Sequence, residues 1–122
     1  MLDVLIVDDS AAIRKILQRV LRQTHLPIGQ IVEAADGKEA LAALRTQTVG
    51  LILSDINMPN MDGLELLGHL KASEIWMKVP VIMVSTEGSQ TKVLEAVELG
   101  AVGYVRKPFT ADQIKEKLVR FL

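Results

Sequence analysis

The run Gly50-Leu51-Ile52-Leu53-Ser54-Asp55 decides how this chain is read, and the N-terminus repeats it as Leu5-Ile6-Val7-Asp8-Asp9. A short unbroken apolar run is the mark of a strand buried on both faces, and each of these two runs finishes in acid. Carboxylates delivered to neighbouring strand ends repel one another by about 4 kcal/mol per close pair at an effective dielectric near 20, so the cluster requires a cation or raised pKa values. A cost of that size points to a site rather than to scaffolding.

Around these runs the composition is that of one compact domain spanning residues 1–122, about half of it apolar. The net charge is -1, and the lysines and arginines are dispersed, which argues against a nucleic-acid surface. Without cysteine there is neither a disulfide nor a thiolate metal site. The apolar runs are too short to span a membrane and no signal-peptide pattern opens the chain, so no membrane association and a cytoplasmic location are expected.

Apolar runs alternate with amphipathic segments, the pattern of repeated βαβ units on a parallel sheet. Strands are predicted near Asp3 to Val7, Ile31 to Ala34, Gly50 to Ser54, Val81 to Val84 and Gly103 to Val105, each followed by a helix. The first helix carries Ile13, Ile16, Leu17, Val20 and Leu21 as one stripe, opposite Arg14, Lys15, Arg19 and Arg22, with Asp9 or Ser10 as its cap. Asp36 caps the second, whose Ala40, Leu41 and Leu44 point inward, and Leu66, Leu67 and Leu70 mark the third. The fourth runs from about Ser89 to Leu99 and stops at Gly100; Thr110 with Gln113 opens the last, whose Ile114, Leu118 and Phe121 face the core. Right-handed crossovers leave the doubly wound α/β order 2-1-3-4-5, a flavodoxin-like (βα)5 arrangement. Its switch point lies between the first and third strands, where Asp8, Asp9 and Asp55 converge.

The strand ends in turn present Asp8 and Asp9, Asp55 with Asn57, Ser85 and Thr86, and Lys107. Two carboxylates and a loop carbonyl suit a hard cation such as Mg²⁺, and a lysine with a hydroxyl at separate strand ends suits the oxygens of a phosphoryl group. One acid would be the nucleophile, forming an acyl phosphate, and spacing does not distinguish which.

Four segments in order resemble the receiver domain of two-component response regulators: Val7-Asp8-Asp9-Ser10, Asp55-Ile56-Asn57-Met58-Pro59-Asn60-Met61-Asp62-Gly63, Val84-Ser85-Thr86-Glu87 and Gly103-Tyr104-Val105-Arg106-Lys107-Pro108-Phe109. With no output domain after Leu122, the likeness is greatest to the single-domain chemotaxis regulators. The resemblance implies Asp55 as phosphoacceptor for a histidine kinase's phosphohistidine. It implies Mg²⁺ on Asp9, Asp55 and the Asn57 carbonyl, with Asp8 acting through water. It implies Lys107 and Ser85 on the phosphoryl group, Tyr104 as the aromatic half of the switch, and a cis Lys107-Pro108 peptide. Thr86 stands where the family usually places a small residue, and its bulk bears on phosphotransfer and phosphatase access. Asn57 and Glu87, flanking the path of an attacking water, imply a short-lived acyl phosphate, which Thr86 would slow.

The same resemblance places the output surface on helix four, strand five and helix five, here Gln90, Val93, Val97, Tyr104, Arg106, Lys115 and Lys117. It implies a downstream partner, such as a flagellar motor component, and a phosphatase. The chain is expected to catalyse its own phosphorylation and dephosphorylation rather than to act as an enzyme on a separate substrate. An aspartyl-nucleophile phosphatase and an unphosphorylated docking module of the same fold are the alternatives; a flavin protein would need a phosphate cradle where Asp8 and Asp9 stand. His25 and His69 are read as exposed helix residues, and Trp76 as loop packing.

Overall fold

Consecutive strand residues face opposite sides of a sheet, so an unbroken apolar run is stable only where both sides are covered. The computed structural model, which describes residues 1–122 except Glu87 and Ser89, meets that condition. Among the described residues, strands β1 (Leu2–Val7), β2 (Ile28–Ala34), β3 (Leu51–Ser54), β4 (Val81–Ser85) and β5 (Gly103–Arg106) alternate with helices α1 (Ala11–Gln23), α2 (Gly37–Thr46), α3 (Gly63–Lys71), α4 (Gln90–Glu98) and α5 (Ala111–Leu118). The strands pair in parallel in the order β2-β1-β3-β4-β5, the doubly wound arrangement expected from the sequence.

Two cores result, one on each face. Val4, Ile6, Leu51, Leu53, Ile82 and Val84 pack with Leu17 and Leu21 of α1 and Ile114 and Leu118 of α5. The alternate residues Leu5, Val7, Ile52, Val81 and Met83 pack with Ala40 and Leu44 of α2, Leu66, Leu67 and Leu70 of α3 and Ala96 of α4. At roughly 25 cal/mol per Å² of apolar area removed from water, this two-sided burial is the main force holding the fold.

The caps obey local chemistry. Ser10 Oγ accepts from the Ile13 N–H, Asp36 from Glu39, Asp62 from Glu65, and Thr110 with Gln113 forms a capping box. Gly100 ends the fourth helical segment at φ +105°, where a side chain would be strained.

Several local expectations are corrected. Ile16 is 44% exposed, because it lies at the edge of the α1 stripe, while Ile13, Leu17, Val20 and Leu21 face the core. His25 is not helical but sits just past α1 at φ 58°, in a turn. Phe121 lies in a short 3-10 turn, Val119–Phe121, and packs there against the core. β2 begins at Ile28, three residues early, and β4 and β5 run on to Ser85 and Arg106, so the predicted site residues stand at the last rung of the ladder. Trp76, as expected, packs against the core from the segment after α3.

Gly63 shows how tightly this frame is drawn around the loop after β3. A Cβ there would lie 2.0 Å from the Asp55 carbonyl oxygen and 2.9 Å from the Met83 methyl. The Gly63 N–H also donates to the Ile56 carbonyl at 2.7 Å, so the backbone has no slack to give. Gly63→Ala is expected to destabilise the fold by about 3 kcal/mol, seen as a lower urea midpoint at unchanged slope.

Candidate functional site at the carboxyl ends of β1 and β3

The register brings the acids together. Val7 lies opposite Ser54, the Asp55 N–H donates to the Val7 carbonyl at 2.9 Å, and the Asp8 N–H donates to the Ala34 carbonyl at 3.0 Å. Asp8 and Asp55 are therefore still fixed to the sheet when their side chains leave it. Asp8 is 1% exposed and Asp55 8%, whereas Asp9 is exposed. Carboxylate oxygens of all three lie within 4.8 Å of one another.

The required cation is the chain's own. Lys107 Nζ lies 2.6 Å from Asp8 Oδ2 and 3.1 Å from Asp55 Oδ2. β5 carries it there: Arg106 is paired with Ser85, and the Lys107 N–H donates to the Ser85 carbonyl at 2.9 Å. The Lys107-Pro108 peptide is cis, as the resemblance implies. Burial alone would lower the lysine's pKa, but hydrogen bonds and charge from Asp8 and Asp55 outweigh it and hold the ammonium above the usual range. Burial raises the Asp8 carboxyl, and the bonds from Lys107 and the Ser10 N–H only partly offset it.

The two oxygens of Asp55 differ. Oδ1 accepts the Ile56 N–H at 2.7 Å, while Oδ2 faces Lys107. Ser54 Oγ donates to the Asp55 carbonyl at 2.9 Å and helps hold the backbone that Gly63 packs against. The loop beyond is tied to α2. Asn60, at φ 65°, donates from Nδ2 to Asp36 Oδ2 at 2.8 Å, and the Gly37 N–H reaches the Met61 carbonyl at 3.0 Å. The bond from Asn60 first, and then that from the Glu39 N–H, hold the Asp36 carboxyl below its usual range.

Ser85 is fully buried at the end of β4, and Thr86 after it is exposed. Tyr104 is half-buried, and its hydroxyl donates to the Ser85 carbonyl at 3.3 Å. Asn57 is exposed on the loop after Asp55, and Glu87 lies outside the described residues. Gln90, half-buried Val93 and Val97, 57% exposed, lie on α4, and Lys115 and Lys117 on α5. A cleft of about 470 Å³ beside β5 and α5 is lined by Tyr104, Arg106, Gln113, Glu116 and Lys117 among others. Arg106 also lies against Gly88 after β4, its guanidinium about 3.0 Å from where a Gly88 Cβ would stand.

Periodicity placed Arg14 on the outer face of α1. Instead it turns back to the site and donates from Nη1 to the Asp8 carbonyl at 2.6 Å. No local signal marks this, because the acceptor is a backbone atom.

All three acids offer hard oxygen donors, with neither thiolate nor imidazole in the cluster, and one lysine is shared between two buried carboxylates. That donor set fits a hard divalent cation.

The fold and this constellation define a receiver domain. Residues 4–119 match the model of the response regulator receiver domain, and the chain belongs to that family. It is 40% identical to the chemotaxis protein CheY of Pseudomonas aeruginosa over 94% of this chain and 91% of that protein. The structure of the Vibrio cholerae chemotaxis protein CheY4 superposes with a TM-score of 0.88 at 35% identity, covering 100% of this chain and 99% of that one. The response regulator TrrA of Thermotoga maritima, solved in complex with Mg²⁺ and BeF, superposes at 0.85 and 30% identity over 100% of both chains.

Asp8 yields a signed pH prediction. Its folded pKa is raised, so the ionised form costs stability near neutral pH, and the cost vanishes as pH falls through the folded value toward about 4. Asp8→Asn is expected to melt higher than wild type at pH 7 in a chelator, with the gain gone near pH 4. Asp36 behaves oppositely: its lowered pKa supports the fold above about pH 4 and ceases to do so as pH falls through the folded value. Asn60→Ala is therefore expected to melt below wild type at pH 7, and the gap should narrow in acid.

Proposed function

We propose that this chain is a phosphorylation-activated signalling switch in which Asp55 accepts a phosphoryl group from the phosphohistidine of a histidine kinase. The observation that carries the reading is the shared position of Lys107 Nζ, 3.1 Å from Asp55 Oδ2 and 2.6 Å from Asp8 Oδ2. A nucleophile, a fixed cation and two further acids stand at one point. Asp9, Asp55 and the Asn57 carbonyl would hold Mg²⁺, with Asp8 acting through water, and the ion would supply charge neutralisation when bound.

Asp55 Oδ2 attacks phosphorus, the phosphorus–nitrogen bond breaks, and its electron pair leaves with the imidazole. The Ile56 N–H on Oδ1 orients the carboxylate so that Oδ2 is the oxygen turned toward Lys107 and the incoming phosphoryl group. Lys107 transfers its contact to the phosphoryl oxygens, and the Ser85 hydroxyl turns to another. Tyr104 follows Ser85, to which its hydroxyl is already bonded at the carbonyl.

The phosphoryl group adds close to two negative charges. Moving a two-state equilibrium from 1:99 to 99:1 takes about 5.5 kcal/mol, more than one new charge-assisted contact supplies, so partner binding completes the activation. The responding surface is Gln90, Val93, Val97, Tyr104, Arg106, Lys115 and Lys117, and its basic groups favour an acidic segment of an output protein such as a flagellar motor component. Water then attacks phosphorus, the bond to Asp55 breaks, and inorganic phosphate leaves; Asn57, Thr86 and Glu87 set the rate, and a phosphatase speeds it. The chain thus serves its own phosphorylation and hydrolysis rather than turning over a separate substrate. A cytoplasmic setting suits such a kinase partner, and no helix among the described residues is long and apolar enough to cross a membrane.

Intact-mass measurement after acetyl phosphate and Mg²⁺ tests the reading. One phosphoryl adduct is expected on the wild type and none on Asp55→Ala; an adduct retained by the variant, or none on either, would overturn it. Charge reversal at Arg106 and Lys117 is expected to weaken binding of the output partner by about 10-fold, measured by titration calorimetry.

A further inference from the structure

Arg14 is held by more than solvent. Its Nε lies 2.9 Å from Glu33 Oε1, and Gln18 Nε2 donates to Glu33 Oε2 at 2.6 Å, so Glu33 is engaged at both oxygens. A guanidinium is planar and rigid, so fixing Nε on Glu33 also fixes the direction of Nη1, which points at the Asp8 carbonyl 2.6 Å away. The Arg14 side chain is only 17% exposed.

Asp8 is thereby clamped at both of its peptide groups. Its N–H is tied to Ala34, its carbonyl to Arg14, and its Oδ1 accepts the Ser10 N–H at 2.9 Å. Asp9 follows that carbonyl directly, and among the described residues no hydrogen bond holds its exposed carboxylate. The direction of Asp9 is therefore set by the peptide before it. Rotation of that peptide would carry Asp9 away from Asp55 and open the acid cluster.

We propose that Arg14, fixed by Glu33 and Gln18, is a positioning residue that orients the Asp8-Asp9 peptide and so aims Asp9 at the cation. This rests on the functional reading above, in which Asp9 holds the metal. The molecule supplies its own control. Arg22, two turns further along α1, donates to the Ile28 and Gly29 carbonyls at 3.0 Å each, the same kind of tie at the opposite end of β2.

The experiment measures Mn²⁺ affinity, from the electron spin resonance of free Mn²⁺, for wild type, Arg14→Met, Glu33→Gln and Arg22→Met. Melting in chelator and phosphoryl uptake from acetyl phosphate are recorded on each. Arg14→Met is expected to weaken Mn²⁺ binding by about 10-fold, Glu33→Gln less but in the same direction, and Arg22→Met not at all even where it melts lower. The near-isosteric Glu33→Gln keeps the comparison open if Arg14→Met folds poorly. Wild-type affinity in both Arg14→Met and Glu33→Gln would overturn the proposal, as would an equal loss in Arg22→Met. A wild type that binds Mn²⁺ but takes up no phosphoryl group would overturn the functional reading while the affinities still decide the role of Arg14; a wild type that binds no Mn²⁺ would overturn both.

Discussion

Two carboxylates buried side by side at the ends of adjacent strands oblige the chain to bring a cation to them, and Lys107 arrives from 52 residues beyond one and 99 beyond the other. The contact ties β5 to the switch point between β1 and β3, across β4. Removing the lysine would leave two buried carboxylates uncompensated, which costs more than the pairs themselves contribute, whereas either acid alone still balances it. The fold thus holds its acids at the expense of stability, visible in the upward pull on Asp8, and what it retains is a cluster of hard oxygen donors of the kind that fits a divalent cation.

The rest of the site is backbone carpentry around those acids. Gly63 lets α3 start against the Asp55 carbonyl, Ser54 bonds the same carbonyl, and Asn60 fastens the intervening loop to Asp36 at the head of α2. On the other side, Arg14 and Glu33 brace the peptide between Asp8 and Asp9. Each acid stands on a main chain restrained from two directions, so side-chain geometry is inherited from the sheet. Rigid mounting of this sort suits charge chemistry, where reorganisation would consume the electrostatic gain.

The face of α4, β5 and α5 is built differently. Val97 is 57% exposed and Leu94 60%, and the half-buried Tyr104 donates from its hydroxyl to the Ser85 carbonyl at 3.3 Å. Few apolar contacts hold α4, where Ala96 is the buried residue of the helix. Low local burial is the physical condition for an element that shifts at small cost. Arg106, lying over Gly88, joins that face to the loop after β4.

Strand identity, the caps at Ser10, Asp36 and Thr110, and the acids at the strand ends were legible in the residues themselves, because each depends on neighbours within about four positions. The alternation Val4-Leu5-Ile6-Val7 already implied two covered faces, and right-handed crossovers then left few topologies. Only the tertiary structure decided that Lys107 bonds Asp8 as well as Asp55, that Arg14 turns inward to a carbonyl, and that Asn60 reaches Asp36. It also exposed Ile16, since helical periodicity states which side of α1 faces the sheet but not how far around the helix the covering layer reaches. Those outcomes join residues 6 to 99 positions apart, in the case of Arg14 through a backbone acceptor that no side chain advertises, and they follow from register and layer packing rather than from local pattern.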